Sequence, residues 1–295
     1  MAIYSIKDLE KLSGIKAHTI RMWEQRYGII IPKRTDTNIR YYNDDDLRLM
    51  LNISLLNKNG IKISKISKMS MDEIGEKVAA ISEINYEYGT QLDALTLSMI
   101  EMDELKFDRI VAANIRQLGF EQTMIEVLYP FLEKVSLLWL TGSINPVQEN
   151  FIGYLIRQQI ILATSQLPLT TAKDAKKFVV YLPEGEKQEL SLLFMNFLAK
   201  SRGHYVIYLG QDISLIDLKD VQRIHQPDYI FTMISETFVG VSLQDYVNDV
   251  ANIFENSEFL ITGYQVIAQG IQSSDSIKVL QSLTSTIDFI DNIKK

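Results

Sequence analysis

Cysteine is absent from this chain of 295 residues, which excludes disulfides and thiolate metal sites and suits a reducing compartment. Histidine is scarce, with only His18, His204 and His225. Although 46% of the residues are apolar, no run of about 18 or more is free of charge, so no membrane span is expected. Met1-Ala2-Ile3-Tyr4 leads straight into a capped helix and leaves no room for a signal peptide, which makes a cytoplasmic location the expectation. Neither the P-loop nor the Rossmann glycine pattern occurs, so a phosphate-cradling loop of those kinds is not expected.

What is present is a strong asymmetry of charge. The net charge of −7 would argue against a nucleic-acid partner if it were spread evenly. Residues 1–70 hold 13 Lys and Arg against 7 Asp and Glu, whereas the remaining 225 hold 17 against 30. A basic head on an acidic body puts the attractive field at one end and helps to exclude a polyanion from the rest.

The basic head begins with Ser5-Ile6-Lys7-Asp8, a capping box that starts a short helix at about Ile6. Leu9 and Leu12 continue its apolar spacing, and Gly14 supplies the permissive backbone of a tight turn. A second helix is expected from Lys16 to Tyr27, with Ile15, Ile20, Trp23 and Tyr27 inward and Lys16, His18, Thr19, Arg21 and Arg26 outward. Trp23 fits the core better than base stacking. Such a helix suits a major groove, where leading residues meet base edges and cations meet phosphate. Pro32 blocks its continuation, and Lys33 to Tyr42 reads as two short strands around a polar turn. Lys33, Arg34, Thr35, Asn38, Arg40 and Tyr41 on that hairpin suit a wing laid along a phosphate backbone.

These residues resemble the MerR family of transcription regulators. The likeness is carried by Tyr4-Ser5-Ile6, Gly14, His18-Thr19-Ile20-Arg21-Met22-Trp23-Glu24, Arg26-Tyr27-Gly28, Arg34-Thr35 and Asn38-Ile39-Arg40-Tyr41-Tyr42. The Trp-Glu-x-Arg-Tyr-Gly form is particularly similar to the light-responsive, cobalamin-binding branch. Lys16-Ala17 departs from the Ser-Pro or Ser-Ala of that family, which weakens the cap of the reading helix. The resemblance implies a homodimer, paired through a helix between Met71 and Tyr88.

Beyond the head, Asn43-Asp44-Asp45-Asp46 caps a helix carrying Leu47, Met50, Leu51, Ile53, Leu55 and Leu56. Four amphipathic segments follow between Thr90 and Leu167, the third interrupted by Pro130, which predicts a helical bundle. From Lys177 the period changes. Phe178 to Leu182, Tyr205 to Leu209, Tyr229 to Met233 and Phe259 to Ile261 are buried strands separated by helices at 186–201, 214–225 and 241–256. The expected architecture is therefore multidomain: an all-α winged helix-turn-helix head over 1–75, a connector and four-helix bundle over 76–167, and an α/β doubly wound, Rossmann-like and flavodoxin-like parallel sheet over 178–295.

Attached to this head, the bundle and sheet look like the cobalamin-binding module of the same branch. Trp139, Val147 and Glu149 match residues that cover the cofactor's upper face, but Asn150 stands where a His is expected. Glu186 matches the acidic residue of the Asp/Glu-x-His-x-x-Gly signature, but Gln188 replaces the cobalt-ligating His and Ser191 the Gly. The later Gly-Gly is reduced to Thr262-Gly263, followed by the bulky Tyr264. A carboxamide oxygen is a poor ligand for cobalt compared with imidazole, so His-on cobalamin ligation is expected to be lost. A functional cobalamin-binding photoreceptor or sensor regulator stays the alternative that the resemblance implies; the other readings of the crevice are packing between subunits, or a different small molecule held by Glu186, Gln188, Gln211, Asp212, Ser235 and Trp139.

The function expected is sequence-specific regulation of transcription, with no enzymatic activity. Its partners would be double-stranded DNA with a palindromic operator, a second copy of the chain in a dimer or tetramer, RNA polymerase at the promoter, and a small ligand. The competing class is a cobalamin-dependent enzyme subunit, which lacks a catalytic barrel and the His at the cobalt position.

Overall fold

Ser5 and Asp8 form the capping box, the Asp8 amide donating to Ser5 Oγ and the Ser5 amide to Asp8 Oδ2. The structure, a computed structural model, describes residues 4–34, 40–84, 88–140, 143–168, 175–236 and 242–293. It divides into two compact units, Met1–Leu155 and Ile156–Lys295.

In the first unit, α1 (Ile6–Ser13) ends at Gly14 in the left-handed conformation, φ +72°, and turns into α2 (Ala17–Tyr27). Leu9, Leu12, Ile20 and Trp23 are buried, while Tyr27 and Ile15 are half-buried. The hairpin is β1 (Lys33–Arg34) paired antiparallel with β2 (Arg40–Tyr41), Lys33 opposite Tyr41. Its expected turn, with Thr35, Asn38 and Ile39, lies outside the described residues. Next comes α3 (Asp44–Lys58), capped reciprocally by Asn43 and Asp46, then α4 (Ile63–Ile66) and α5 (Met71–Ile84).

The bundle follows as α6 (Tyr88–Glu101), α7 (Glu104–Leu118), α8 (Phe120–Thr123) and α9 (Tyr129–Leu140). The predicted interruption at Pro130 takes an unexpected form. Helix continues through the proline, preceded by a π-helical turn over Met124–Leu128. Proline has no N–H to give, and widening the preceding turn relieves the ring's clash with the carbonyl behind it. Asp93 on α6 accepts from Lys58 of α3 and, at 3.1 Å, from Lys134 of α9. Burial lowers the Lys134 pKa despite that carboxylate. The helix α10 (Pro146–Ser165) spans the boundary between the units.

In the second unit, β3 (Lys177–Pro183), α11 (Glu189–Ser201), β4 (Tyr205–Ile213), α12 (Leu215–His225), β5 (Tyr229–Met233), α13 (Leu243–Ile253), β6 (Glu258–Thr262), α14 (Tyr264–Ala268), β7 (Ile277–Val279) and α15 (Leu283–Asp291) alternate. All strand pairs are parallel, in the order β4-β3-β5-β6-β7. This is the flavodoxin-like winding, with its switch point between β3 and β5. Four strands are expected from sequence; β7 is the fifth. Three residues with a central Lys are too short to give a buried-strand signal.

Val179, Tyr181, Ile230, Phe259 and Ile261 pack one sheet face against Leu218 of α12 and Leu243, Tyr246 and Val250 of α13. The Tyr181 and Tyr246 hydroxyls meet at 3.0 Å inside this layer, and burial raises both phenol pKa values, that of Tyr246 to about 12. On the other face Phe178 stacks on Tyr229, whose ring edge meets Phe289 of α15.

Candidate nucleic-acid interface and crevice

The helix α2 receives its N-terminal cap from the preceding helix. Lys16 makes no side-chain cap bond, but the Ala17 amide donates to Glu10 Oε2 at 3.1 Å, and the Lys16 ammonium donates to Glu10 Oε1 at the same distance. Those bonds, with the Lys16 charge, hold the Glu10 carboxyl below its usual range. Glu10 thus supplies what Lys16-Ala17 lacks, and it satisfies an otherwise orphan donor of α2.

His18, Arg21 and Arg26 are exposed, Thr19 is half-buried, and the Arg26 guanidinium lies 5.5 Å from the Tyr27 ring. Lys33 and Arg34 are exposed on β1; Arg40 and Tyr41 on β2 are half-buried. Glu24 joins helix to hairpin. It accepts from the Tyr42 hydroxyl, and its other oxygen lies 3.9 Å from Arg40 Nε. Tyr42 is fully buried, and burial with the Glu24 bond raises its phenol pKa far above normal. Tyr4 pairs with Tyr42 as an antiparallel bridge and donates its hydroxyl to Asp44 at 3.1 Å; burial first, then that carboxylate, pushes its pKa up to about 12. Both phenols stay protonated as donors, so the hairpin's exit is fixed against α2 and α3.

In the first unit, Trp139, Val147 and Asn150 are exposed and Glu149 is half-buried, along α9 and α10. In the second unit, the loops beyond the strands' carboxyl ends are tied to one another. Glu186, 4% exposed, accepts from the Ser235 amide at 2.6 Å and the Glu236 amide at 3.0 Å through one oxygen, and from the Lys187 amide at 3.0 Å through the other. Its carboxylate therefore bridges the switch point and fills an amide pair of the sort an anionic ligand would use. The expected helix start at residue 186 moves to Glu189 for this reason, with Gln188 as the half-buried N-cap. The Gly185 amide donates to Asp212 at 3.3 Å, and the Tyr264 amide to Ser235 Oγ at 3.4 Å. Gly263 has φ +117°, and a Cβ there would stand 2.3 Å from the Ile234 carbonyl oxygen. The Tyr264 side chain is exposed.

His204 directly precedes β4 and His225 closes α12 ahead of β5. Both stand at the amino edge of the sheet, opposite Gln188. The second unit thus offers no imidazole at the edge where these loops meet, and the residues present do not fit an axial imidazole bond to cobalt.

Residues 4–72 match the MerR HTH family regulatory protein model. The chain thus carries a MerR-type HTH head. Residues 91–160 match the B12 binding domain model, over the helical bundle. The HTH-type transcriptional repressor CarH of Myxococcus xanthus is 25% identical over 233 residues, covering 77% of this chain and 77% of that protein. The repressor CarA of the same organism is 22% identical over 287 residues, covering 94% and 90%. The HTH-type transcriptional regulator MlrA of Salmonella typhimurium is 25% identical over 150 residues, covering 48% and 62%. The helix-turn-helix head, the helical bundle and the parallel sheet are as expected from the sequence; the fifth strand, β7, is the addition.

Glu10, Glu24 and Asp93 are the contributors that sequence reasoning missed. Glu24 sits inside the matched Trp-Glu-x-Arg-Tyr-Gly run, so its position was legible, but its partners lie 16 and 18 residues away.

Proposed function

We propose that this regulator reads a palindromic operator duplex as a homodimer or larger assembly, in the cytoplasm, and acts on RNA polymerase at the promoter. His18, Thr19 and Arg21 would face base edges. Lys16, Arg26, Lys33, Arg34, Thr35, Asn38, Arg40 and Tyr41 would follow phosphate or enter the groove. The observation that supports this reading is an exposed cationic face of α2 beside a cationic hairpin, braced through Glu24. Phosphate contacts set register, and one or two side chains at base edges set preference. Arg21→Ala is expected to weaken operator binding by about 1–3 kcal/mol and to flatten the preference over unrelated DNA. Fluorescence anisotropy with both duplexes, alongside circular dichroism to check the fold, tests it; unchanged discrimination would remove α2 from the groove.

For the rear half we propose a sensor or assembly module that makes no imidazole–cobalt bond. The B12-type match over the bundle makes cobalamin the ligand to test, with Trp139, Val147, Glu149 and Asn150 in the first unit and Glu186, Gln188, Ser235 and Gly263 in the second as the candidate residues. The committed oxygens of Glu186 and the carboxamide of Gln188 argue for loss of the lower ligand. After mixing and gel filtration, adenosylcobalamin is expected to separate from the wild-type protein, while Gln188→His carries visible absorbance through the column. Co-elution with the wild type would show that cobalamin is held without an axial imidazole and overturn its expected loss; free passage from both would put the loss in the cavity instead of the ligand. Catalysis is not part of this proposal.

A further inference from the structure

A cavity of about 610 Å³ opens at the amino edge of the sheet, away from the loops described above. Within the second unit, α10 runs beside α11, held by Arg157 Nη2 donating to Glu189 Oε1 at 2.8 Å. Towards their C-terminal ends the two helices and the start of β4 enclose the cavity. Its wall combines Ile161, Leu193 and Val206 with Asn196, Lys200 and His204, and among the described residues it includes no carboxylate.

Leu193, Asn196 and Lys200 recur at helical spacing and form one stripe of α11. Asn196 is only 6% exposed, and its Oδ1 has no hydrogen-bond partner. As placed, the carboxamide leaves an acceptor unmet and sealed from solvent, so nothing fixes the orientation of its amide. By turning about its terminal bond it can offer either its oxygen or its NH2. Lys200 is half-buried on the same wall, and no acidic group among the described residues pairs with it. A cation and an amide over an apolar floor, with no carboxylate among the described lining residues, select an anion with an apolar body.

We propose that this cavity binds a small organic carboxylate, its headgroup on the Lys200 ammonium and the Asn196 carboxamide and its hydrocarbon against Ile161, Leu193 and Val206. The site lies at the opposite sheet edge from Gln188, so the proposal stands independently of cobalamin.

Isothermal titration of the full-length protein with octanoate and with indole-3-acetate tests it, with 1-octanol as the uncharged counterpart. At least one carboxylate is expected to bind saturably below millimolar concentration. Lys200→Met, which keeps the length and apolar stem of a half-buried side chain, is expected to weaken that binding roughly tenfold, as is replacement of the probe by 1-octanol. Asn196→Leu should weaken it several-fold with an unchanged circular dichroism spectrum. Failure of both carboxylates to saturate, undiminished affinity in Lys200→Met, or equal binding of the alcohol would each overturn the proposal.

Discussion

Operator binding is expected to weaken roughly ten-thousandfold as monovalent salt rises from about 50 to about 200 mM, a log–log slope near −7. The size of this effect comes from counting charge. Arg21, Arg26, Lys33 and Arg34 are exposed on α2 and β1, and Arg40 is partly so on β2. If each protomer neutralises about four phosphates, a dimer releases the counterions of about eight. Exchanging one phosphate-contacting cation, for instance Arg26→Ala, should then weaken binding to all sequences alike and reduce the slope by about 1 per site in the duplex. Anisotropy titrations across salt measure both quantities. A flat salt response would dismiss DNA binding by this head, whatever the family match.

Gly263→Ala is expected to destabilise the second unit by about 3 kcal/mol and lower its melting temperature by roughly 10 °C. Gly263 holds φ +117°, and an added Cβ would meet Ile234 backbone atoms at 2.3 to 2.7 Å. Those atoms are already engaged: the Ile234 amide donates to Thr262 at 2.9 Å, and its carbonyl accepts from Gln265 at 3.2 Å. The β6 exit must shift away from the β5 exit, and the substituted residue must adopt a backbone conformation that L side chains resist. Calorimetry of the ligand-free protein decides between two roles for this glycine. A glycine kept only for close approach of a cofactor would leave melting unchanged.

How much of this was legible in the sequence depended on the range of the interactions involved. The α1 and α3 caps were readable because Ser5 with Asp8 and Asn43 with Asp46 are three residues apart. The parallel sheet was readable because β3, β5 and β6 are continuous apolar runs. Three devices escaped for a shared physical reason: Glu10 capping α2, Glu24 holding Tyr42 and Arg40, and Asp93 serving Lys58 and Lys134. Each is a carboxylate whose partners are brought to it by tertiary packing, and neither period nor propensity encodes that. Glu186 escaped differently. Its type and place matched a cofactor signature, yet its oxygens meet backbone amides of a loop almost 50 residues on. The π turn before Pro130 and the short β7 show local geometry yielding to packing where the residue pattern is silent.

Asp93 has a mechanical corollary. Its carboxylate, 12% exposed, is shared by a lysine from the last turn of α3 and one from α9. Pulling either helix away would strand a charge in poor contact with water, an expensive move. One carboxylate thus works as a rivet through three helices, tying the last turn of α3 and the middle of α9 to α6.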